Sequence, residues 1–322
     1  MSTVSDFMEE HFRHFNARET LQAAKAYRNH ILEGGQMVVS IAGAMSTAEI
    51  GRSLAPMIRL NKVHAICCTA ANLEEEVYNM FAHKEYVRKS DYQDISAVQE
   101  TELRDRGLNR ITDTCIPESI MLRIEGALVE SWSAAARGRK PRFAWNFISD
   151  LLGRPEFADS LQVSPEHCWA LAAKECGVPV FTPGFEDSTL GCAFCAKVME
   201  GLFTAHHVIR SGTEMLQELA LWYLERAKEG IPVGFFQIGG GIAGDFAVSV
   251  VPMLKRDLKE NVPYWAYYAQ ITDSTTSYGS YSGAPPNEKI TWSKIDANTP
   301  SFAINSDATL VVPLIFEYVL AD

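Results

Sequence analysis

The residues whose types and spacing most clearly suggest catalysis lie near the carboxyl end of the chain, between Ser280 and Lys294. If residues 288–294 are extended, alternate side chains share a face, so Glu288, Trp292 and Lys294 lie together and Lys289 points to the other side. An amine in this apolar, aromatic setting has a lowered pKa and can attack a carbonyl or iminium carbon. The same spacing also fits a surface lysine whose stem packs beside an indole.

A second candidate is the glycine-rich segment from Ile238 to Asp245, which matches G-x-G-x-x-G between an apolar run and an amphipathic segment. Glycines let a backbone approach a pyrophosphate, and the following helix N-terminus offers N–H donors. The motif lies far down the chain, whereas a dinucleotide fingerprint ordinarily opens its domain. A tight turn with left-handed glycines explains it as well.

Three further turns carry acidic or hydroxylic side chains: Thr69 to Glu76, Thr182 to Gly191 and Asn305 to Thr309. In the first, Asn72 and Glu75 have the spacing of a capping box, and a carboxylate here could instead accept from the two hydroxyls of a ribose. In the second, Asp187 or Ser188 is a good helix N-cap. Several such turns at one sheet edge favour a ligand site.

The elements that must position these residues are short apolar runs, each followed by an amphipathic segment. The pairs are Met37 to Ile41 with Thr47 to Leu60, Val63 to Cys68 with Asn72 to Ala82, Val178 to Phe181 with Ser188 to Phe203, Val233 to Ile238 with Phe246 to Lys255, and Ser301 to Ile304 with Thr309 to Leu320. Buried strands that alternate with helices predict an α/β fold of the Rossmann-like, doubly wound kind, with a mainly parallel sheet and helices on both faces. Ligands of such sheets bind beyond the carboxyl ends of the strands.

Nothing in the sequence marks a domain boundary, so we predict one domain over residues 1–322 with an N-terminal helical extension over 1–35. Within that extension, Phe7 to Phe12 and Thr20 to Leu32 have helical spacing, and Gly34 and Gly35 end the second helix. The segments Glu85 to Pro117 and Tyr264 to Ile295 contain no predicted regular element.

Composition narrows the class of protein. The 322 residues are 47% hydrophobic and 21% charged, and 40 acids against 29 bases give a net charge of −11, which disfavours nucleic acid and favours cations such as polyamines. No apolar run is long enough to cross a bilayer, and the N-terminus has no secretory signal. The seven cysteines lack metal-ligand spacing, and Cys192 with Cys195 is read as a pair of half-buried helix cysteines. We therefore expect a cytoplasmic protein without a metal, a membrane or a nucleic-acid partner.

These motifs together resemble the deoxyhypusine synthase family, most closely its bacterial deoxyhypusine synthase-like subgroup, which is related to homospermidine synthase. The likeness extends from about Val38 to Leu320. Its motifs are Ala42 to Ser46, Thr69 to Glu76, Gly107 to Arg110, Phe181 to Gly191, Ile238 to Gly241, Ser282 to Lys294 and Asp307 to Thr309. The resemblance implies a Rossmann-like NAD-binding fold assembled as a homotetramer, with active sites between subunits.

The resemblance also implies roles for individual residues. Lys294 matches the family's imine-forming lysine, and Glu288 and Trp292 match residues that hold the polyamine. Other positions of the expected substrate site are Tyr281, Ser282 and Cys192. The positions that match NAD contacts are Thr69, Ala70, Glu75, Asp187, Gly240, Gly241, Asp307 and Ala308.

The chain also departs from the family pattern. Ala71-Asn72 replaces a pair of glycines, and Asp245 replaces a histidine thought to assist proton movement, so Asp245 becomes a candidate catalytic residue. Cys192 replaces an acid, and Tyr278 and Tyr281 replace two aspartates. These changes predict a rebuilt polyamine clamp and an altered acceptor.

The implied activity is NAD-dependent transfer of the aminobutyl unit of spermidine, or of a similar polyamine, through an imine of Lys294 to a small amine such as putrescine. Three alternatives remain: transfer to a lysine of a translation initiation factor, NAD-dependent oxidation of an amine with net release of NADH, and a nucleotide-binding module that keeps the fold without catalysis.

Overall fold

The computed structural model describes residues 3–203, 206–275 and 279–321. Its strands are β1 Gln36–Ile41, β2 Ala65–Cys68, β3 Val87–Arg88, β4 Leu108–Ile111, β5 Thr114–Pro117, β6 Val180–Phe181, β7 Val233–Ile238, β8 Tyr267–Thr272 and β9 Ser301–Asn305. Six of them form a sheet in the order β6-β2-β1-β7-β8-β9, in which every neighbouring pair is parallel. The predicted parallel sheet is confirmed.

The helices lie between these strands and at both ends of the chain. They are α1 Val4–His11, α2 Phe15–Leu32, α3 Gly51–Arg59, α4 Ala70–Ala82, α5 Ala97–Asp105, α6 Glu118–Gly138, α7 Ala144–Leu152, α8 Pro155–Ala158, α9 Trp169–Glu175, α10 Thr189–Met199, α11 Gly212–Glu229, α12 Ile242–Val248, α13 Val250–Pro252, α14 Glu288–Thr291 and α15 Ala308–Leu320. A π-helical turn over Met253–Asp257 continues α13. Each predicted strand and helix pair is present, although the helix expected from Thr47 begins only at Gly51.

The strand order contains a switch point between β1 and β7. From β1 the chain proceeds outwards through β2 to the edge strand β6, and then returns to β7 on the other side of β1 and continues to β9. The first connections after β1 and β7 therefore lead away from each other, which opens a crevice beyond the carboxyl ends of these two strands.

Helices cover both faces of the sheet, and neighbouring residues in the central strands point to opposite faces, so both sets of side chains are buried. Val39 and Phe236 pack in a large cluster that includes helices α2, α3, α4 and α15. Val38 and Phe235 pack in a second cluster with helices α11, α12 and α13. This two-sided burial explains the continuous apolar runs and confirms helices on both faces.

Two segments predicted to be irregular contain regular structure. Residues 85–117 hold α5 and an antiparallel sheet in the order β3-β5-β4. Residues 264–295 hold β8 and α14. Strand β8 escaped prediction because its tyrosines and its polar residues resemble the Tyr-, Ser-, Thr-, Gly- and Pro-rich segment that follows it. In the fold Gln270 is buried and hydrogen-bonded.

The cysteine prediction is correct in element and wrong in exposure. Cys192 and Cys195 both lie on α10, but both are exposed rather than half-buried. Within the described residues all seven cysteines are free thiols. No described helix is long and apolar enough to cross a membrane.

Candidate active site

Lys294 is buried beside α12, with 7% of its surface exposed. Its Nζ lies 2.9 Å from Oδ1 of Asp245, which is the first-turn carboxylate of that helix. The backbone is fixed on both sides: the Lys294 amide donates to the Lys289 carbonyl at 3.1 Å, and the Trp265 amide donates to the Lys294 carbonyl at 3.3 Å. The snorkelling alternative is therefore excluded, because the amine is held inside the protein.

The prediction of an extended segment before Lys294 is wrong. Residues 288–291 form the short helix α14, and Glu288 and Trp292 are exposed, the latter at 57%. Two prolines, Pro285 and Pro286, precede the helix, and the Glu288 amide donates to the Pro285 carbonyl. Proline has a backbone angle suited to the first turn of a helix, so it favours a helical turn here.

The helical turn brings Lys289 into the site, whereas an extended segment would place it on the opposite face. Lys289 is only 3% exposed, and its Nζ lies 4.4 Å from the centroid of the Tyr281 ring. The Nζ of Lys294 lies 5.3 Å from the same centroid. Burial and, to a smaller extent, the charge of Lys294 together lower the pKa of Lys289 to about 8. The proline pair followed by polar residues was the signal that could have revealed the helical phase.

Tyr281 closes this site towards the sheet. Its hydroxyl donates to Oε1 of Gln237 at 2.9 Å, and the Tyr268 hydroxyl donates to Oε1 of Gln270 at 2.7 Å. Burial raises the pKa of the Tyr281 phenol well above its usual range. Gln270 in turn donates to the carbonyl of Ser282, so buried side chains of β7 and β8 hold the segment that carries two predicted substrate residues.

The glycine-rich turn after β7 is required by packing. Gly239 and Gly241 have left-handed backbone angles, φ 75° and 67°. A Cβ on Gly240 would lie 1.6 Å from Oγ of Ser282, and one on Gly244 would lie 2.7 Å from Cδ of Gln237. The left-handed turn explains Gly239 and Gly241, and close contact with Ser282 explains Gly240.

A cavity of about 570 Å³ opens on the outer side of this turn. Its wall includes Gly241, Asp245 and Tyr281. The Asp245 side chain is 54% exposed, so its carboxylate joins the buried amine of Lys294 to the open cavity. A small cationic substrate in the cavity would meet this carboxylate first.

A second cavity, of about 720 Å³, lies at the switch point of the sheet. The turns that follow β1, β7, β8 and β9 line it, and the β4–β5 hairpin covers it. Asp307 and Ala308 are part of its wall. Asp307 also caps α15, since its Oδ1 accepts from the Thr309 amide at 2.8 Å.

The turn after β2 is organised by Thr69 rather than by Asn72. Thr69 is the N-cap of α4 and accepts from the amide of Asn72, so the predicted capping box of Asn72 with Glu75 is wrong. Ala70 is buried in the first turn. Burial raises the pKa of Glu75 to about 7. Glu75 accepts from the hydroxyl of Thr47, and Thr47 lines the switch-point cavity. The Glu75 carboxylate therefore contacts a lining residue of this cavity without lining the cavity itself.

Asp187 and Cys192 lie at the far edge of the sheet. Ser188 caps α10, which leaves the exposed Asp187 out of the cap. Five strand spacings of about 4.8 Å separate β6 from β9, so roughly 24 Å divides the strands that precede Asp187 and Asp307.

Tyr278 lies outside the described residues. Within the described ranges, no group of three or more His, Cys, Asp or Glu residues could hold a metal ion.

The sequence comparisons with known proteins agree on one family. The family model for deoxyhypusine synthase matches residues 6–319. A deoxyhypusine synthase-like protein from Cyanothece is 26% identical, over 99% of this chain and 79% of the relative, and one from Nostoc is 28% identical, over 99% and 81%. The crystal structure of a candidate deoxyhypusine synthase from Entamoeba histolytica has a similar fold, with a TM-score of 0.56 at 12% identity over 97% of this chain and 91% of that one.

Proposed function

Because the chain belongs to the deoxyhypusine synthase family, we propose that it is an NAD-dependent aminobutyl transferase. It takes the four-carbon amine unit of spermidine, or of a similar polyamine, onto Lys294 and passes it to an acceptor amine. The observation that carries this proposal is the buried amine of Lys294, held by Asp245 at the wall of an open cavity beside the switch point.

The switch-point cavity suits a dinucleotide. Its volume of about 720 Å³ is in the ordinary range for ligand pockets. Gly43 lines it in a left-handed conformation with open space where a Cβ would be, so a ligand can approach the backbone there. Asp307, Ala308 and Gly239 would hold the cofactor at this point. Bound NAD supplies a hydride acceptor for the carbon beside the donor's secondary amine.

The other expected cofactor contacts do not line this cavity. They are Thr69, Ala70, Glu75, Asp187, Gly240 and Gly241. Their spread along the sheet edge supports sites completed by a neighbouring subunit of a homotetramer. Light scattering on the purified protein tests the assembly, and a monomeric mass under assay conditions would exclude shared sites.

The charges of the site suit a polyamine. Asp245 presents a half-exposed carboxylate, and the net charge of −11 attracts cations. Glu288 and Trp292 are four residues apart on one helical turn and both are exposed, so together they offer a carboxylate and an indole face to an ammonium group. Ser282 and Cys192 remain proposed contacts.

In the reaction, Lys294 attacks the imine carbon of the oxidised donor and releases diaminopropane. The acceptor amine then displaces Lys294, and the hydride returns to the product. We favour a small acceptor such as putrescine, since an aromatic residue, Tyr281, occupies a position where the family has an acid. Steady accumulation of NADH would instead indicate an amine oxidoreductase.

The decisive experiment is mass spectrometry after borohydride trapping. Wild type, Lys294→Ala and the exposed-lysine control Lys140→Ala are each mixed with NAD and spermidine and then reduced. A four-carbon amine adduct on Lys294 in wild type and in the control, absent from Lys294→Ala, is the expected result. Absence of any adduct while NAD still binds refutes the transferase.

The acceptor is tested in a second experiment with the same protein. Wild type with spermidine and putrescine should release diaminopropane and form homospermidine, with no net NADH. If transfer occurs only to a protein lysine, the small-amine acceptor is wrong.

A further inference from the structure

We propose that Lys289 is the proton shuttle of the amine exchange on Lys294, a role that rests on the proposed function. Sequence spacing gave this lysine no role. It is inside the site, and it shares one tyrosine ring with the lysine that carries the substrate.

The burial of Lys289 requires an explanation. Its residue surface is 3% exposed, and within the described residues its amine has no hydrogen bond or ion pair; its contact is the cation–π interaction with Tyr281. A buried cation without a partner lowers the free energy of unfolding by on the order of several kcal/mol. Such groups are concentrated at functional sites, where the altered proton affinity is used.

The amine exchange needs a proton carrier. When neutral Lys294 attacks the donor's iminium carbon, a new C–N bond forms and the Lys294 nitrogen becomes positively charged. The bond to diaminopropane breaks only after its nitrogen gains a proton. One proton must therefore move from the Lys294 nitrogen to the leaving nitrogen, with no net oxidation and no other reactant.

The other groups around Lys294 are poorly suited to carry this proton. Asp245 already accepts from the Lys294 amine through Oδ1 at 2.9 Å, so this oxygen is occupied as the partner of the amine. The Tyr281 hydroxyl already donates to Gln237, and burial raises the pKa of the Tyr281 phenol far above the working range.

Lys289 has the properties that the step requires. Burial and the charge of Lys294 lower its pKa to about 8, while Asp245 and Glu288 oppose this shift. An acid–base group works best when its pKa is near the working pH. Arg256, from the π-helical turn, binds the backbone and side chain of residues 291 and 293 on the same segment and adds a fixed positive charge nearby.

The test measures the rate at which the Lys294 adduct forms in wild type, Lys289→Met and Lys289→Ala. We expect Lys289→Met to lower that rate about 100-fold or more, with the half-saturating spermidine concentration unchanged. The wild-type rate should rise with pH through about 8, and this rise should be absent in Lys289→Met. Trimethylamine, which accepts a proton but cannot form a neutral imine, should restore Lys289→Ala and leave wild type unchanged.

The outcomes separate two failures. If wild type forms no adduct, the proposed function itself is wrong. If wild type forms the adduct and Lys289→Met forms it within about threefold of that rate with the same pH profile, the shuttle is refuted. A weaker affinity for spermidine with an unchanged maximal rate, or no response of Lys289→Ala to trimethylamine, also refutes it.

Discussion

Replacing Lys289 by methionine should make the protein more stable at neutral pH. Methionine keeps the length of the apolar stem and removes the charge. The pKa of Lys289 falls from 10.5 to about 8 on folding. At about 1.4 kcal/mol for each pH unit, burial together with the charge of Lys294 destabilises the charged form by about 3 to 4 kcal/mol.

Two effects make the gain in the free energy of unfolding of Lys289→Met smaller than this cost. Solvent near the amine screens its charge, and the variant loses the cation–π contact with Tyr281, so we expect a net gain of about 2 kcal/mol. A chain of 322 residues has an unfolding entropy of about 0.7 kcal/mol/K. The expected rise in Tm at pH 7 is therefore about 3 °C.

The pH dependence identifies the cause. Below pH 8 Lys289 is charged in both folded and unfolded chains, and the full penalty is present. Between about 8 and 10.5 the unfolded chain binds more protons, so wild-type stability rises relative to the variant as the pH rises. Thermal unfolding of both proteins at pH 7 and pH 10 should show an advantage for Lys289→Met that shrinks at the higher pH.

The exposed lysine Lys140 provides the matched control. Lys140→Met should leave Tm unchanged at both pH values. An unchanged or lower Tm for Lys289→Met at pH 7, or an equal advantage at both pH values, would show that burial of the Lys289 charge does not destabilise the fold.

Three further perturbations follow from the site and the core. Asp245→Asn removes the partner of the buried Lys294 amine, and we expect trapped adduct to fall about tenfold or more while NAD still binds. Gly240→Ala places a Cβ 1.6 Å from Oγ of Ser282, so it should displace the segment that contains Tyr281 and Ser282 and abolish the adduct in the trapping assay. Glu76→Gln should raise Tm at pH 8 and not at pH 4, because burial raises the pKa of Glu76 to about 7 and the folded state therefore loses stability as the pH rises from about 4.5 to 7.

Each of these predictions has an outcome that contradicts it. Full adduct formation by Asp245→Asn would remove the ion pair from the mechanism. Gly126 is exposed within α6 with open space where a Cβ would be, so Gly126→Ala is the control for Gly240→Ala and should stabilise by about 1 kcal/mol. A Tm gain for Glu76→Gln that is equal at pH 4 and pH 8 would exclude ionisation of the buried carboxyl as its cause.

Much of the fold was predictable because local chemistry and burial agree. Runs such as Ala65 to Cys68 are apolar throughout, as suits strands buried on both faces, and the amphipathic segments after the strands form helices. Strand β8 was missed because its sequence, with two tyrosines, Gln270 and Thr272, resembles the polar segment that follows, and Gln270 gains its partners Tyr268 and Ser282 only in the fold. A pattern of apolar residues cannot reveal hydrogen bonds between distant segments.

The sequence by itself determined the family and the parallel sheet, and it predicted Lys294 as a site residue, because motifs and apolar runs are local properties. It did not determine which side chains meet Lys294. The ion pair with Asp245 joins residues 49 positions apart, and the inward position of Lys289 depends on a helical turn rather than an extended segment. Only tertiary packing, which buries both lysines against one tyrosine ring, decided that this site contains two amines.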